Sequence, residues 1–344
     1  MKILFTGKDD FNYNRVRVLL AGLKERSDVE VEFFPITKRK NFDKKKFIEL
    51  QKEVDFIYIP PFRHHDVKFI KKLSTKPVVF DPLISKYSTK VIDYGHFWKA
   101  PIKYLLDKVA FSNSDYLIAD TLEHKKYFAK KFKINSNKIG VVPVGVDTSL
   151  FYPTSKNKKN LFKVGFYGSL IPLQGVKTIL KTARLLKDNK DIEFDIIGKG
   201  RQYKEVKEYV EKHHLFNVNL LGWVNYDKLN EFINEFDICL GIFGESLKAD
   251  SVIPNKVFHY VALSKCVISK DTPAIRELFT PRKNIILTPN KPEEIAKQIL
   301  EMKNDVNLRD TIGSNAKEFV TENYNHVQIA SIFINLLKKY SLNN

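Results

Sequence analysis

Cysteine is nearly absent from the 344 residues: Cys239 and Cys266 are the only two, each inside a strand-like apolar run. That placement reads as two buried free thiols and excludes a disulfide framework and a cysteine-ligated metal pair. No apolar run reaches 18 residues, so no spanning helix is expected. The opening MKILFTGKDD lacks the long apolar stretch and small-residue cleavage site of a signal peptide, and the chain is expected to stay in the cytosol. Neither an RNP-type aromatic strand nor a zinc-finger spacing occurs, which leaves no nucleic-acid module. Acidic residues are also in deficit, with 40 Asp and Glu against 58 Lys and Arg, a net charge of +18.

The basic excess is shared: 29 basic against 18 acidic residues up to position 155, and 29 against 22 beyond it. It suits anionic partners, either phosphorylated small substrates or an anionic membrane surface. A lysine- and asparagine-rich compositional bias is the alternative source. Hydrophobic residues at 43% and charged ones at 28% are those of a globular protein long enough for two domains.

Apolar strands and amphipathic helices alternate from the start. Residues 2–6, 29–34, 56–59 and 77–80 read as strands, with helices at 16–23, 47–54 and 67–73 between them. This spacing predicts a doubly wound parallel α/β sheet, whose ligands bind beyond the C-terminal strand ends. Those ends are Gly7, Lys8, Pro60, Pro61 and Asp81, with His64 and His65 close behind. In GHFWKAPIKYLLDKVA (95–110), aromatic and aliphatic residues interleave with Lys99, Lys103 and Lys108. A helix lying peripherally on an anionic membrane and a packed core helix both fit that pattern. TSKNKKN (154–160) reads as an interdomain linker, after which the alternation restarts at Lys163.

The second half carries glycine turns in YGSLIPLQG (167–175) and FDIIGKG (194–200), and a polar loop leading to VIPNKVFHYVA (252–262). Pro254, Asn255 and Lys256 open a helix there. Free amides, the helix dipole and a nearby ammonium all favour a phosphate at such a place. An ordinary capped helix is the competing reading.

VPVGVDTSLFYP (142–153), FYGSLIPLQGVKTILKTARLL (166–186) and the 241–268 stretch, with IGKG, LGWV and TPAIREL, together resemble retaining glycosyltransferases of the GT-B fold, family 4. The resemblance implies two Rossmann-like domains facing across a cleft. Residues 1–155 would form an N-terminal acceptor domain, 156–325 a nucleotide-sugar donor domain, and 326–344 a helix crossing back to the first. It implies transfer of a sugar from a nucleotide-diphosphate donor to a glycan or lipid-linked acceptor, with retention, with no cofactor and no metal. Asp191, Glu193 and Asp195 alternate around a strand start and read as solvent-facing, not as a metal motif.

In the implied site, Lys256 and the amides around Ser169 and Pro254 to Lys256 stabilise the leaving diphosphate. Asp81 stands beside the donor sugar, the competing view being a strand-end carboxylate bonded to the backbone at residues 82–85. Gly7, Gly168, Gly198 and Gly200 allow close backbone approach, and Trp223 with Val224 forms the base-binding edge, a packing role for Trp223 being equally compatible. Gln174, Lys248, Ser251, Asn255 and His259 complete the donor set. The chain departs from the family pattern in carrying Ser169 and Gln174 in place of an arginine and a lysine, and Ser251 and His259 in place of two glutamates. Each lost phosphate contact is worth about 1.5 to 3 kcal/mol; Lys248, Lys256 or Lys199 would have to compensate. These departures keep two other readings open: a catalytically weak homologue serving as a partner or scaffold subunit, and a sugar-nucleotide epimerase.

Overall fold

The computed structural model describes residues 1–7, 10–155 and 161–342. Lys8 and most of the expected linker, residues 156–160, lie outside them. The chain divides into two compact units, Met1–Gly145 with His326–Asn344, and Val146–Asn325.

The first unit is built on β1 (Lys2–Gly7), β2 (Glu30–Pro35), β3 (Phe56–Ile59), β4 (Val78–Phe80), β5 (Tyr116–Ala119) and β6 (Ile139–Val141). All neighbours pair in parallel in the order β2-β1-β3-β4-β5-β6. β3, β4 and β5 are buried at every position. Both faces of these strands are covered, which is why FIYI and VVF read as unbroken apolar runs and not as alternating ones. Helices α1 (Asn14–Lys24), α2 (Lys44–Lys52), α3 (His64–Leu73), α4 (Ala100–Asn113) and α5 (Leu122–Phe132) connect them. Ahead of α4 the chain winds through a π-helical segment, Ser88–Asp93, that no sequence signal foretold.

The second unit repeats the plan with β7 (Phe162–Tyr167), β8 (Ile192–Ile197), β9 (Val218–Gly222), β10 (Ile238–Leu240), β11 (Cys266–Lys270) and β12 (Ile286–Thr288). Its parallel order is β12-β11-β10-β7-β8-β9. The order reverses at β7, between β10 and β8, and a crevice opens at such a switch point beyond the carboxyl ends. Cys239 and Cys266 are buried free thiols inside β10 and β11. The helices are α6 (Val176–Leu185), α7 (Tyr203–Lys212), α8 (Leu229–Asn234), α9 (Leu247–Asp250), α10 (Asn255–Ala262), α11 (Pro292–Asn304) and α12 (Val306–Asn323).

The last helix, α13 (His326–Leu342), belongs to the first unit. It packs so closely on α1 that a Cβ at Gly22 would collide with the His326 carbonyl. Tyr340 stacks on Tyr116 at 3.6 Å between ring centres, and His326 Nε2 lies 2.8 Å from Glu25 Oε1. Two parallel six-stranded sheets of this kind are the GT-B architecture. Among the described residues no helix is long and apolar enough to cross a membrane.

Asp195 departs from its expected place. It is buried, receives Lys163 Nζ at 3.1 Å and Asn219 Nδ2 at 2.8 Å, and so serves the β7–β8–β9 sheet instead of facing solvent.

Candidate functional site

At the β7 end of the second unit the chain must turn sharply, and Gly168 takes φ +155 to do so. A Cβ there would come within 2.8 Å of Lys256 Nζ. Glycine therefore leaves the space in which the lysine head lies. Lys256 enters from the first turn of α10, whose cap residue is Pro254 in extended conformation. The expectation had put the proline inside the helix; its fixed φ suits the cap equally well, because that position makes no intrahelical N–H bond.

The Lys256 ammonium is 3% exposed. It donates to Gln174 Oε1 and lies 3.6 Å from the centre of the Phe166 ring. Among the described residues no carboxylate pairs with it. Burial alone pulls its pKa well below the ordinary lysine value, since a charge taken out of water without a counter-ion is costly. A diphosphate at this turn would supply that counter-charge. Gln174, which replaces a lysine of the family pattern, thus holds the head of Lys256 through a bond that a second ammonium could not make.

The other glycine turn packs onto the first. Gly198, at φ +143, has no room for a Cβ beside the Gly168 carbonyl, and a Cβ at Gly200 would lie 2.7 Å from the Leu170 amide nitrogen. Ser169 is exposed on the crest between them. The Gly198 amide donates to the Gly222 carbonyl at 2.6 Å, bringing the next turn alongside. There Trp223 projects with 65% of its surface in solvent, which removes packing as its role, and Val224 is half-buried behind it. The Phe243 amide donates to the Gln174 carbonyl at 3.1 Å and ties in the loop that carries α9. That loop was expected to be irregular; instead Ser246 caps a short helix through the Ala249 amide. Lys248 is buried in it, and Ser251 donates to Leu247 O at 2.7 Å. Asp250 anchors the helix to Lys270 at 2.8 Å. Gly168, Ser169, Gln174, Gly198, Gly200, Trp223, Val224 and Pro254 to Lys256 are thus gathered along one edge, with Lys248 and Ser251 on the adjoining loop.

His259 is not among them. It is 1% exposed, stacks 3.8 Å from Phe151, and its Nδ1 is hydrogen-bonded to the Tyr167 hydroxyl. Burial pushes its pKa down to about 3. As a neutral ring it is engaged by the Phe151 face and the Tyr167 hydroxyl.

Asp81 is buried too. It lies within the first unit, 1% exposed, where Arg15 Nε donates to Oδ2 at 2.6 Å and the Tyr58 hydroxyl donates at 3.0 Å. Burial raises its pKa against the opposing pull of Arg15. Oδ2 is held in an interior ion pair, and Oδ1 has no hydrogen-bond partner. Gly7, also in that unit, has φ +150, and a Cβ there would stand 2.9 Å from Pro60 Cδ. His64 is buried as the first residue of α3, with Nε2 3.1 Å from Ile84 O, whereas His65 is exposed. Arg15, Tyr58, Phe151, Phe166 and Tyr167 escaped notice in the sequence, where they look like ordinary members of apolar or charged runs.

Among the described residues no three His, Cys, Asp or Glu side chains gather as a metal site. Residues 151–319 match the family model described as Glycosyl transferases group 1, which spans the whole of the gathered edge. That match covers just under half of the chain. Two uncharacterized glycosyltransferases of Methanocaldococcus jannaschii are similar to this chain. MJ1178 is 27% identical over 62% of this chain and 56% of its own length. MJ1069 is 25% identical over 66% of this chain and 60% of its own length. The chain therefore spans less than two thirds of either relative. Among solved structures, Anabaena HepE in complex with UDP-glucose superposes with a TM-score of 0.76 at 18% identity, covering 98% of this chain and 100% of that one. Sucrose-phosphate synthase of Thermosynechococcus elongatus superposes with a TM-score of 0.79 at 13% identity over 100% of both. These likenesses show the GT-B fold.

Proposed function

We propose that the chain is a metal-independent retaining glycosyltransferase of family 4 whose second unit holds a nucleotide-diphosphate sugar along the edge from Gly168 to Lys256. The observation that carries this reading is the buried Lys256, which has no carboxylate partner among the described residues and lies against a glycine turn whose φ of +155 disfavours any other residue. Support comes from the group 1 match on the same residues and from the HepE complexes with UDP and UDP-glucose.

In the reaction, the bond from the anomeric carbon to the diphosphate oxygen breaks and its electron pair leaves with the diphosphate. Lys256 and the amides at Ser169 and Asn255 stabilise that growing charge. The acceptor hydroxyl of a glycan or lipid-linked sugar forms the new bond on the same face of the ring, and its proton passes to the departing phosphate oxygen. The exposed Trp223 ring offers a face for the nucleobase.

Thermal shift with UDP, GDP and their sugars, followed by NMR of the product anomer, tests the reading. Stabilisation by a nucleotide diphosphate with an unchanged anomeric configuration is expected. No stabilisation at millimolar nucleotide would leave the weak-homologue reading in its place.

A further inference from the structure

The first unit carries an apolar surface that nothing in its own core uses. Phe97, Trp98, Ile102 and Leu105 are 70, 72, 68 and 60% exposed. Trp98, Ile102 and Leu105 are spaced by four and then three residues, so the 3₁₀ turn Phe97–Lys99 and the first turns of α4 line them up in one stripe. The opposite side of α4 supplies the buried Asp107, Ala110 and Phe111. The stripe is therefore the helix's outward face. Isolated exposed apolar residues are ordinary on a protein surface, but four large ones within nine residues, three of them in one stripe, are not.

The unburied charges next to the row in sequence have one sign. Residues 94–106 contain Lys99 and Lys103 and no acidic residue, and Lys86 and Lys90 precede them. The nearest carboxylates in sequence are turned inward: the Asp93 oxygens are buried, and Asp107 accepts from the Ser85 hydroxyl and from the Lys86 and Tyr87 amides. The Lys99 ammonium lies 5.9 Å from the Trp98 ring and the His96 ring lies 4.9 Å from it on the chain's own side, which steadies the indole in its outward pose.

We propose that the Phe97–Leu105 face is an anchor for an anionic bilayer surface, with Trp98 and Phe97 entering the headgroup region and Lys99 and Lys103 meeting acidic phospholipids. Tryptophan and phenylalanine beside lysine is the composition that partitions at the interface without spanning it. Charge complementarity selects this occupant. A second copy of the chain, at net charge +18, would bring the same lysines against each other around a two-fold axis, whereas acidic lipid attracts them. The anchor stands on the first unit alone and does not depend on the donor site.

Co-sedimentation of the full chain with vesicles of phosphatidylcholine, and of phosphatidylcholine with phosphatidylglycerol, tests the proposal. Binding is expected to the second only, weakening as salt rises. Phe97→Ser with Trp98→Ser should reduce partitioning by roughly tenfold or more, and Lys99→Ser with Lys103→Ser by a similar factor. In a Trp223→Phe background the remaining Trp98 emission should shift to the blue and be quenched by brominated lipid. Melting curves verify that the surface variants are folded. Vesicle binding that is absent, or unchanged by both double substitutions, would overturn the proposal. So would a dimer seen by light scattering that Phe97→Ser with Trp98→Ser abolishes while vesicles bind no variant.

Discussion

Lys256 Nζ lies 3.6 Å from the centre of the Phe166 ring, so the cation that faces the Gly168 turn rests on an aromatic face instead of a carboxylate. Its lowered pKa has a definite sign for stability. Between that value and 10.5 the unfolded chain holds more protons than the folded one, and stability rises with pH across the window. Lys256→Met keeps the volume and removes the desolvation cost. It should raise stability by about 1 kcal/mol, a gain that shrinks as pH approaches 10.5. The same variant should lose roughly tenfold or more in kcat/KM, about 1.4 kcal/mol of transition-state binding. Urea denaturation across pH with donor kinetics on the same samples checks both; a less stable and fully active variant would mean that the ammonium serves structure only.

The contrast between Lys256 and its neighbours shows what a sequence makes legible. Burial of a parallel sheet on both faces writes itself as runs such as FIYI and VVF, and the glycine turns at Gly168 and Gly198 follow from strand ends that must bend. These signals are local. Partner choice is not: Gln174 meets Lys256 across 82 residues and Arg15 meets Asp81 across 66, and both meetings are set by strand order. His259 likewise stacks on Phe151, a partner far away in the sequence.

The Arg15–Asp81 pair gives a second expectation. Both side chains are buried, so Arg15→Met, which strands the carboxylate, should cost roughly 3 to 5 kcal/mol. Pairing Arg15→Met with Asp81→Leu should recover most of that loss, because neither member is then left as an unpaired charge. Chemical denaturation of the singles and the double measures the coupling. An Asp81→Asn variant of normal stability but without turnover would place Asp81 at the reacting centre.

Two buried histidines govern the acid limb. Burial holds His259 down to about 3, and burial together with the nearby Lys86 charge holds His64 there too. Below 6.5 the unfolded chain takes up protons that the fold refuses, so stability should fall from pH 6.5 toward 3, by on the order of several kcal/mol for the pair. Asp107, pushed up to about 6 by burial, works the other way, since the fold holds its proton between 3.8 and that value. His259→Phe keeps the stack on Phe151 and has no proton to gain. It should cost about 1 kcal/mol at neutral pH for the lost Tyr167 bond and make the acid limb shallower. Denaturation midpoints from pH 7 to 4 decide this, and parallel slopes for the two proteins would remove His259 as a cause.

Trp223 and Lys256 should fail in opposite ways, and that opposition tests the donor site better than either variant alone. Trp223 is mostly in solvent, so Trp223→Ala should leave stability within about 0.5 kcal/mol. A base stacked on its ring is worth about 1 to 3 kcal/mol, so UDP affinity should fall roughly tenfold or more. Pyrophosphate has no base and should bind the variant as it binds the parent, whereas Lys256→Met should weaken pyrophosphate and UDP together. Calorimetric titration of the three proteins with UDP, uridine and pyrophosphate gives the pattern. If Trp223→Ala weakened pyrophosphate as much as UDP, the indole would be shaping the Gly198 turn through the Gly222 carbonyl bond and not meeting the base.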